Sequence, residues 1–304
     1  MLASVAIFLI TTWTVKGTGI QVTSRDRPRD CKNLIQQGKT HEGNYIVYPG
    51  YSAASKASIA YCTQDDGMEI LSAEATNREP ARNCLDLLHD GMNISGLNII
   101  YPYLEHPAEP VLVLCDQETE EGGWTVIQNR YDGSEDFYRP WTEYVDGFGS
   151  PDGEHYIGNA IISALTAQSV NELRVDLEDW DNATAYAQYQ AFHIDANHHY
   201  LLSVGMYHGT AGDSLNPYYA EANGTAFSTF DADHDLSEDF NCAEERCHGA
   251  WWYVHCGGSN LNGRYYPSDG SDLPLDGMFW YTFGWFDSLK SSKMMTRPST
   301  ATNT

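Results

Sequence analysis

The sequence predicts an α+β fold around a central, mainly antiparallel sheet, and three observations carry that prediction. Leu173, Val175 and Leu177 alternate with Arg174, Asp176 and Glu178, the period-two signature of a half-buried strand. Residues 124–128, 185–192 and 200–207 carry further strand-like runs, whereas residues 156–165 space their apolar side chains as a helix does. Strands interleaved with short helices and no repeated βα alternation belong to the α+β class.

The third observation is an internal repeat. Cys31 and Cys62 stand as far apart as Cys84 and Cys115, and a shift of 53 residues superposes the two segments. Leu34, Gly38, Gly43, Ile46, Tyr48, Pro49 and Gln64 then fall on Leu87, Gly91, Gly96, Ile99, Tyr101, Pro102 and Gln117. The repeat reads as a duplicated unit of short helix, extended segment and return strand, each closed by its own disulfide, Cys31–Cys62 and Cys84–Cys115. Closing loops of this size contributes roughly 3–4 kcal/mol each in the loop-entropy account.

After Cys115 the sequence runs on through Gly122-Gly123-Trp124 into a strand, but after Cys62 it turns polar towards Pro80. The expected organisation is a signal peptide at 1–19, a truncated duplicate at 25–66 and a linker at 67–81. A full domain at 82–298 and a tail at 299–304 follow. The leader rests on an uncharged apolar run at 2–13, too short to span a bilayer, followed by Lys16, Gly17 and Gly19. Sequons at Asn93, Asn182 and Asn223 agree with export and glycosylation.

Composition narrows the function. With 17 Lys+Arg against 42 Asp+Glu the net charge is −25, and so acidic a protein is repelled by phosphate backbones, which excludes nucleic acid as a partner. A hydrophobic fraction of 42% excludes disorder. Seven cysteines without a C-x-x-C pair indicate disulfides rather than zinc. Their odd number leaves Cys247 as a buried thiol or an intermolecular bridge. No membrane insertion is expected. Nucleophile-elbow, zincin, P-loop and Rossmann motifs are absent from the sequence, so no enzyme is expected.

Residues 213–281 are rich in Gly, Asp, Asn, Ser and aromatics with little periodicity. A long irregular stretch needs a disulfide, metal or ligand to hold it, and function is sought there. Asp231, Asp233 and Asp235 alternate, a pattern that gathers oxygens around a hard cation or forms a solvated acidic turn. The loop is no EF-hand, because Leu236 and Cys242 replace its Gly and Glu. A Cys242–Cys256 disulfide would close the next loop, in which Trp251, Trp252 and Tyr253 form either a core wedge or a ligand wall.

Gly122-Gly123-Trp124, Asp132-Gly133-Ser134, Asp136-Phe137, Gly147-Phe148-Gly149, Trp251-Trp252-Tyr253, Ser259-Asn260-Leu261-Asn262-Gly263 and Met295-Thr296-Arg297-Pro298 stand in this order. Across about residues 82–298 the sequence resembles the fibrinogen C-terminal domain, and within that family most resembles the ficolin and tachylectin lectins. The resemblance implies a disulfide-closed N-terminal subdomain, a central sheet and an irregular calcium- and ligand-binding subdomain. It implies Ca2+ on Asp233 and Asp235, with carbonyls from Ser237 and Asp239. It also implies an acetyl pocket in which His255 and Cys256 supply N–H donors beside Trp252 and Tyr253. Cys247 and Leu273 stand near the family's pocket aromatics, and Gly257 where it commonly has His.

The implied function is a secreted, calcium-dependent lectin of innate immunity that reads acetylated or other glycans, microbial ones included, with homo-oligomers supplying avidity. The alternative is a protein-interaction ligand or adhesion module, like the angiopoietins and tenascins, without sugar binding.

Overall fold

The computed structural model describes residues 31–36, 43–48, 58–62, 68–73, 80–104, 109–268 and 276–299. The expected leader, Leu273 and the tail beyond Ser299 lie outside these residues. The protein forms two units, Met1–Asn77 and Arg78–Thr304.

In the first unit, α1 (Cys31–Gln36) precedes an antiparallel sheet of β1 (Gly43–Val47), β2 (Ser58–Cys62) and β3 (Met68–Ala73), in that order. Its small core consists of Cys31, Leu34, Val47, Ala60 and Cys62, with the Cys31–Cys62 disulfide at its centre. The strand β3 corrects the expected linker at 67–81. Met68, Ile70 and Leu71 form a short apolar run that a polar-linker reading overlooks, and pairing with β2, bulged at Leu71, satisfies backbone groups on that side.

The second unit repeats this opening. Asn83 caps α2 (Cys84–His89) by accepting the Asp86 N–H at 3.0 Å. β4 (Gly96–Ile100) and β5 (Val111–Asp116) follow, and Cys84–Cys115 joins helix to strand. The backbone then turns through Gly122 and Gly123, both at positive φ. A side chain at Gly123 would collide with Leu85, so glycine serves both the turn and the close approach.

The remaining elements are β6 (Trp124–Arg130), α3 (Trp141–Asp146), β7 (Phe148–Gly149), β8 (His155–Tyr156), α4 (Asn159–Thr166), β9 (Asn171–Glu178), β10 (Thr184–Asp195), β11 (Leu201–Gly209), β12 (Ser259–Asn260), β13 (Phe279–Trp280), α5 (Tyr281–Gly284) and β14 (Ser291–Pro298). The main sheet runs β11-β10-β9-β14-β6-β5-β4, every pair antiparallel, with β7 and β8 attached beside β6. The C-terminal strand β14 thus lies in the middle, between β6 and β9. The helix expected at 156–165 begins only at Asn159, because Tyr156 belongs to β8 and its hydroxyl donates to Asn159 Oδ1 at 2.7 Å.

The Asp132-Gly133-Ser134 turn has a physical cause. The Glu154 carboxylate is buried and accepts N–H bonds from Tyr131, Asp132, Gly133 and Glu135 at 2.6–3.1 Å. The irregular region is stitched by buried amides in the same way. Asn260 Nδ2 donates to the Cys247 carbonyl, Asn262 Nδ2 to that of Ala250, and Gln128 Nε2 to that of Leu261. Loop carbonyls are satisfied there without a strand ladder.

Candidate functional site

The acidic loop leaves the core at the Ser228–Trp251 bridge. Asp231 Oδ1 accepts the Trp141 N–H at 2.8 Å and the Thr229 hydroxyl at 2.7 Å, so it tethers the loop to α3. Asp235 accepts N–H bonds from Ser237 and from Cys242, each at 2.7 Å, and Asp233 Oδ1 accepts the Asp235 N–H at 3.2 Å. Burial raises the Asp235 pKa, and the negative Asp233 beside it adds to the rise, although the two N–H donors oppose it.

Among the described residues no three His, Cys, Asp or Glu side chains converge as a metal site, so a cation here needs main-chain carbonyls as well. The donor chemistry fits calcium. It is oxygen-only, its carboxylates Asp233 and Asp235 are mutually repulsive, and the Ser237 hydroxyl is buried in the same loop without a partner. His234 turns away, its Nδ1 3.1 Å from the Phe227 carbonyl and its ring against His199 and Trp141.

Cys242 and Cys256 are bonded across the adjoining loop, and Cys247 ends a single π-helical turn, Ala243–Cys247. Cys247 is a buried free thiol, which removes the intermolecular bridge from the native fold. Burial pushes its pKa up to about 12, partly offset by a hydrogen bond with Tyr253. Trp252 is only 2% exposed and Tyr253 is fully buried. The Trp252 indole donates to the Tyr200 carbonyl at 2.7 Å, and the Tyr253 hydroxyl to Asn260 Oδ1 at 2.9 Å. These three expected pocket residues are therefore core, because each polar tip finds a partner inside the domain.

His255 is exposed and its ring leans on Phe240. Cys256 has φ +61° and its N–H points at Cys242 Sγ, 3.0 Å away. The described backbone holds no cis peptide bond. The expected set is thus divided: His255 lies at the surface, Cys256 is half-buried, Trp252, Tyr253 and Cys247 lie inside, and Leu273 lies outside the described residues.

The sequence reading missed a ridge of aromatic rings beside the Cys256–Gly258 turn. Tyr218 is fully exposed, Tyr219 45%, Trp285 69% and Phe286 39%. Ring centroids link Tyr218 to Tyr219, Tyr219 to Tyr281, and Tyr281 to both Trp285 and Phe286, each at 5.1–5.3 Å. The Tyr281 N–H donates to the Gly258 carbonyl at 3.0 Å, which fixes the ridge to the turn. A side chain at Gly258 would sit 2.7 Å from Pro217, so only glycine lets the two loop segments meet there. Thr282 anchors α5 beneath, its N–H on Ser214 Oγ and its hydroxyl on the Ala211 carbonyl. Trp285 itself adopts φ +56°, an unfavourable conformation for a bulky residue. The only sequence signal was a pair of aromatic doublets within a non-periodic stretch, and exposure cannot be read from that.

Residues 80–299 match the family model described as fibrinogen beta and gamma chains, C-terminal globular domain. The sequence is 40% identical over 245 residues to mouse angiopoietin-1, covering 79% of this chain and 47% of that protein, so it spans about half of that relative's length. The fibrinogen-like globe domain of human ANGPTL2 superposes with a TM-score of 0.67 at 42% identity, over 72% of this chain and all of that one. A lamprey fibrin D-dimer complexed with the peptide Gly-His-Arg-Pro-amide gives a TM-score of 0.67 at 32% identity, over 76% of this chain and 80% of that one. These relatives are of angiopoietin and fibrinogen type and do not single out the ficolin or tachylectin group.

Proposed function

The protein belongs to the family defined by the C-terminal globular domain of the fibrinogen beta and gamma chains, and from that premise we propose that it is a secreted, non-enzymatic ligand that binds a protein partner through the aromatic ridge. The observation that carries this reading is the connected exposure of Tyr218, Tyr219, Trp285 and Phe286. Tyrosine and tryptophan dominate the energetics of protein interfaces, and a contiguous exposed aromatic patch marks such a surface. The ridge adjoins a loop region in which Glu238, Asp239, Glu244 and Glu245 are exposed. With a net charge of −25, the partner is expected to present cationic side chains around an apolar centre. The peptide in the lamprey fibrin structure, cationic through its Arg and amino terminus, supports this chemistry.

Calcium is assigned to Asp233 and Asp235 with the carbonyls of Ser237 and Asp239, where it would neutralise the two carboxylates and stiffen the loop leading into Cys242. The lectin reading keeps only His255 and Cys256, since burial of Trp252 and Tyr253 removes the aromatic walls that would enclose a methyl group. Secretion accords with three disulfides and with the exposure of Asn93, Asn182 and Asn223.

The test is binding of labelled protein to live cells after trypsin or after enzymatic deglycosylation. Loss on trypsin with survival of deglycosylation supports the proposal. Loss on deglycosylation, with competition by N-acetyl sugars that EDTA abolishes, overturns it in favour of the lectin.

A further inference from the structure

The asparagine of the Asn223-Gly224-Thr225 sequon lines a groove, and its side chain is already held in one direction. Residues 222–227 run beside β11, the terminal strand of the main sheet. The Leu202 N–H donates to the Thr225 carbonyl at 2.9 Å, and the Gly224 N–H to the Leu202 carbonyl at 2.7 Å. At Val204 the side chain of Asn223 takes over, its Oδ1 accepting the Val204 N–H at 2.9 Å. A planar amide whose Oδ1 faces the strand points Nδ2 elsewhere. Asn223 is exposed, and among the described residues Nδ2 has no hydrogen-bond partner, since the other bond of this residue comes from its backbone N–H to Asn216 Oδ1.

The groove has a volume of about 490 Å³ and lies between β10, β11 and the turn that joins α4 to β9. Its apolar surface comes from Val170, Ala191, Phe192 and Val204, with hydroxyls from Ser169 and Ser203. Val170 is 63% exposed, and Ser169 and Ser203 are exposed too, so the groove opens to solvent. A pyranose presents one apolar face of C–H groups and an edge of hydroxyls, the complement of such a surface. We propose that Asn223 is N-glycosylated and that the first N-acetylglucosamine of its glycan folds back into this groove, its apolar face on Val170 and Val204, as a fixed part of the domain.

Transfer from a lipid-diphosphate oligosaccharide forms the bond between sugar C1 and Asn223 Nδ2 and breaks the donor's C1–O bond. The electron pair of that bond leaves with the lipid diphosphate, and Nδ2 loses one proton. Oδ1 keeps its lone pairs, so the bond from Val204 survives the modification. Thr225 is buried and its hydroxyl donates to the Ala222 carbonyl at 2.7 Å, so the sequon is open to a transferase only before this segment folds. Folding then brings the tethered sugar to the groove at high effective concentration. Asn93 and Asn182 do not line this groove, and Asn182 Oδ1 accepts from Lys290 Nζ at 2.6 Å. The inference rests on secretion and is independent of the aromatic ridge.

The experiment uses the full-length protein, secreted from animal cells with glycan processing blocked at the high-mannose stage. Peptide mapping is expected to find carbohydrate on Asn223. Trimming by an endoglycosidase to the first N-acetylglucosamine should leave the melting temperature unchanged, because that sugar makes the contact. Asn223→Asp keeps an acceptor for the Val204 N–H but carries no sugar, and after the same trimming it is expected to melt about 2–4 °C below the parent. Hydrogen exchange should place the loss of protection at residues 166–171 and 203–205. In a Val170→Ala background the same comparison should give at most half the difference, because that wall is gone. An unmodified Asn223 in protein recovered from the medium overturns the inference, whatever Asn93 and Asn182 carry. Retention of the protein inside the cell with all three sites bare overturns the secretion premise with it. A trimmed parent that melts together with Asn223→Asp leaves the sugar in solvent, and a difference that Val170→Ala leaves intact belongs to another contact; either result overturns the proposal.

Discussion

Trp252→Ala separates a core wedge from a ligand wall. The indole is 2% exposed, lies 5.0 Å from the Phe227 ring and 5.2 Å from that of Trp251, and donates to the Tyr200 carbonyl. Truncating a packed tryptophan costs about 3–5 kcal/mol, and an unsatisfied carbonyl adds up to about 1 kcal/mol. For a domain of this size each kcal/mol moves the melting temperature by about 2–4 °C, so a fall of roughly 10 °C is expected. The assay is a calorimetric scan in calcium, with the near-UV signal of the buried tryptophans identifying the transition of the larger unit. Trp285→Ala, at a 69% exposed position, should stay within about 0.5 kcal/mol of the parent. A Trp252→Ala protein that melts within about 2 °C of the parent refutes the packing argument and restores the indole as a pocket wall.

Cys247 is expected to resist thiol reagents near neutral pH in the native state and to react once denaturant exposes it, because burial pushes its pKa up to about 12; rapid native labelling contradicts this. Burial alone would raise the Asp116 pKa, but Lys293 Nζ at 2.8 Å and the Thr119 donors more than offset it, lowering the pKa to about 2. A depressed carboxylate stabilises the fold above its unfolded pKa, and that contribution is lost as pH falls from about 4 to about 2. The difference in urea midpoint between the parent and Asp116→Asn should therefore shrink over that range, and a constant difference contradicts the assignment. Calcium at about 100 times its dissociation constant should add about 2.7 kcal/mol of stability. Asp235→Asn should erase most of the corresponding thermal shift; an unchanged shift in that variant places the ion elsewhere.

Local pattern made much of the fold legible from the residues alone. The repeat shift matched helix and strand starts because both copies are closed by the same disulfide and share the same apolar positions. The alternation at Leu173, Val175 and Leu177 marked the centre of β9, because apolar and polar side chains alternate there, although Glu172 and Arg174 on the polar face are buried too. The place of β14 between β6 and β9 was not legible, because no local pattern records which distant strand lies beside it. The site was legible as chemistry and not as exposure. The alternating aspartates and the Cys242–Cys256 loop stood out, but Trp252 and Trp285 have the same composition and opposite environments. What separates them is tertiary: Trp252 meets the Tyr200 carbonyl, whereas Trp285 follows a four-residue helix anchored through Tyr281 and Thr282 and projects beyond it.

The central claim is that the aromatic ridge is the binding face, and the Trp285→Ala, Phe286→Ala double variant tests it most directly. On cells that bind the parent, interface aromatics of this kind are worth about 2 kcal/mol or more each, so affinity should fall by about 30-fold for each ring removed and on the order of 1,000-fold for the pair. The melting temperature should fall by no more than a few degrees, the cost of losing the Phe286 ring contact with buried Phe279. Unchanged affinity in a folded double variant would contradict the account.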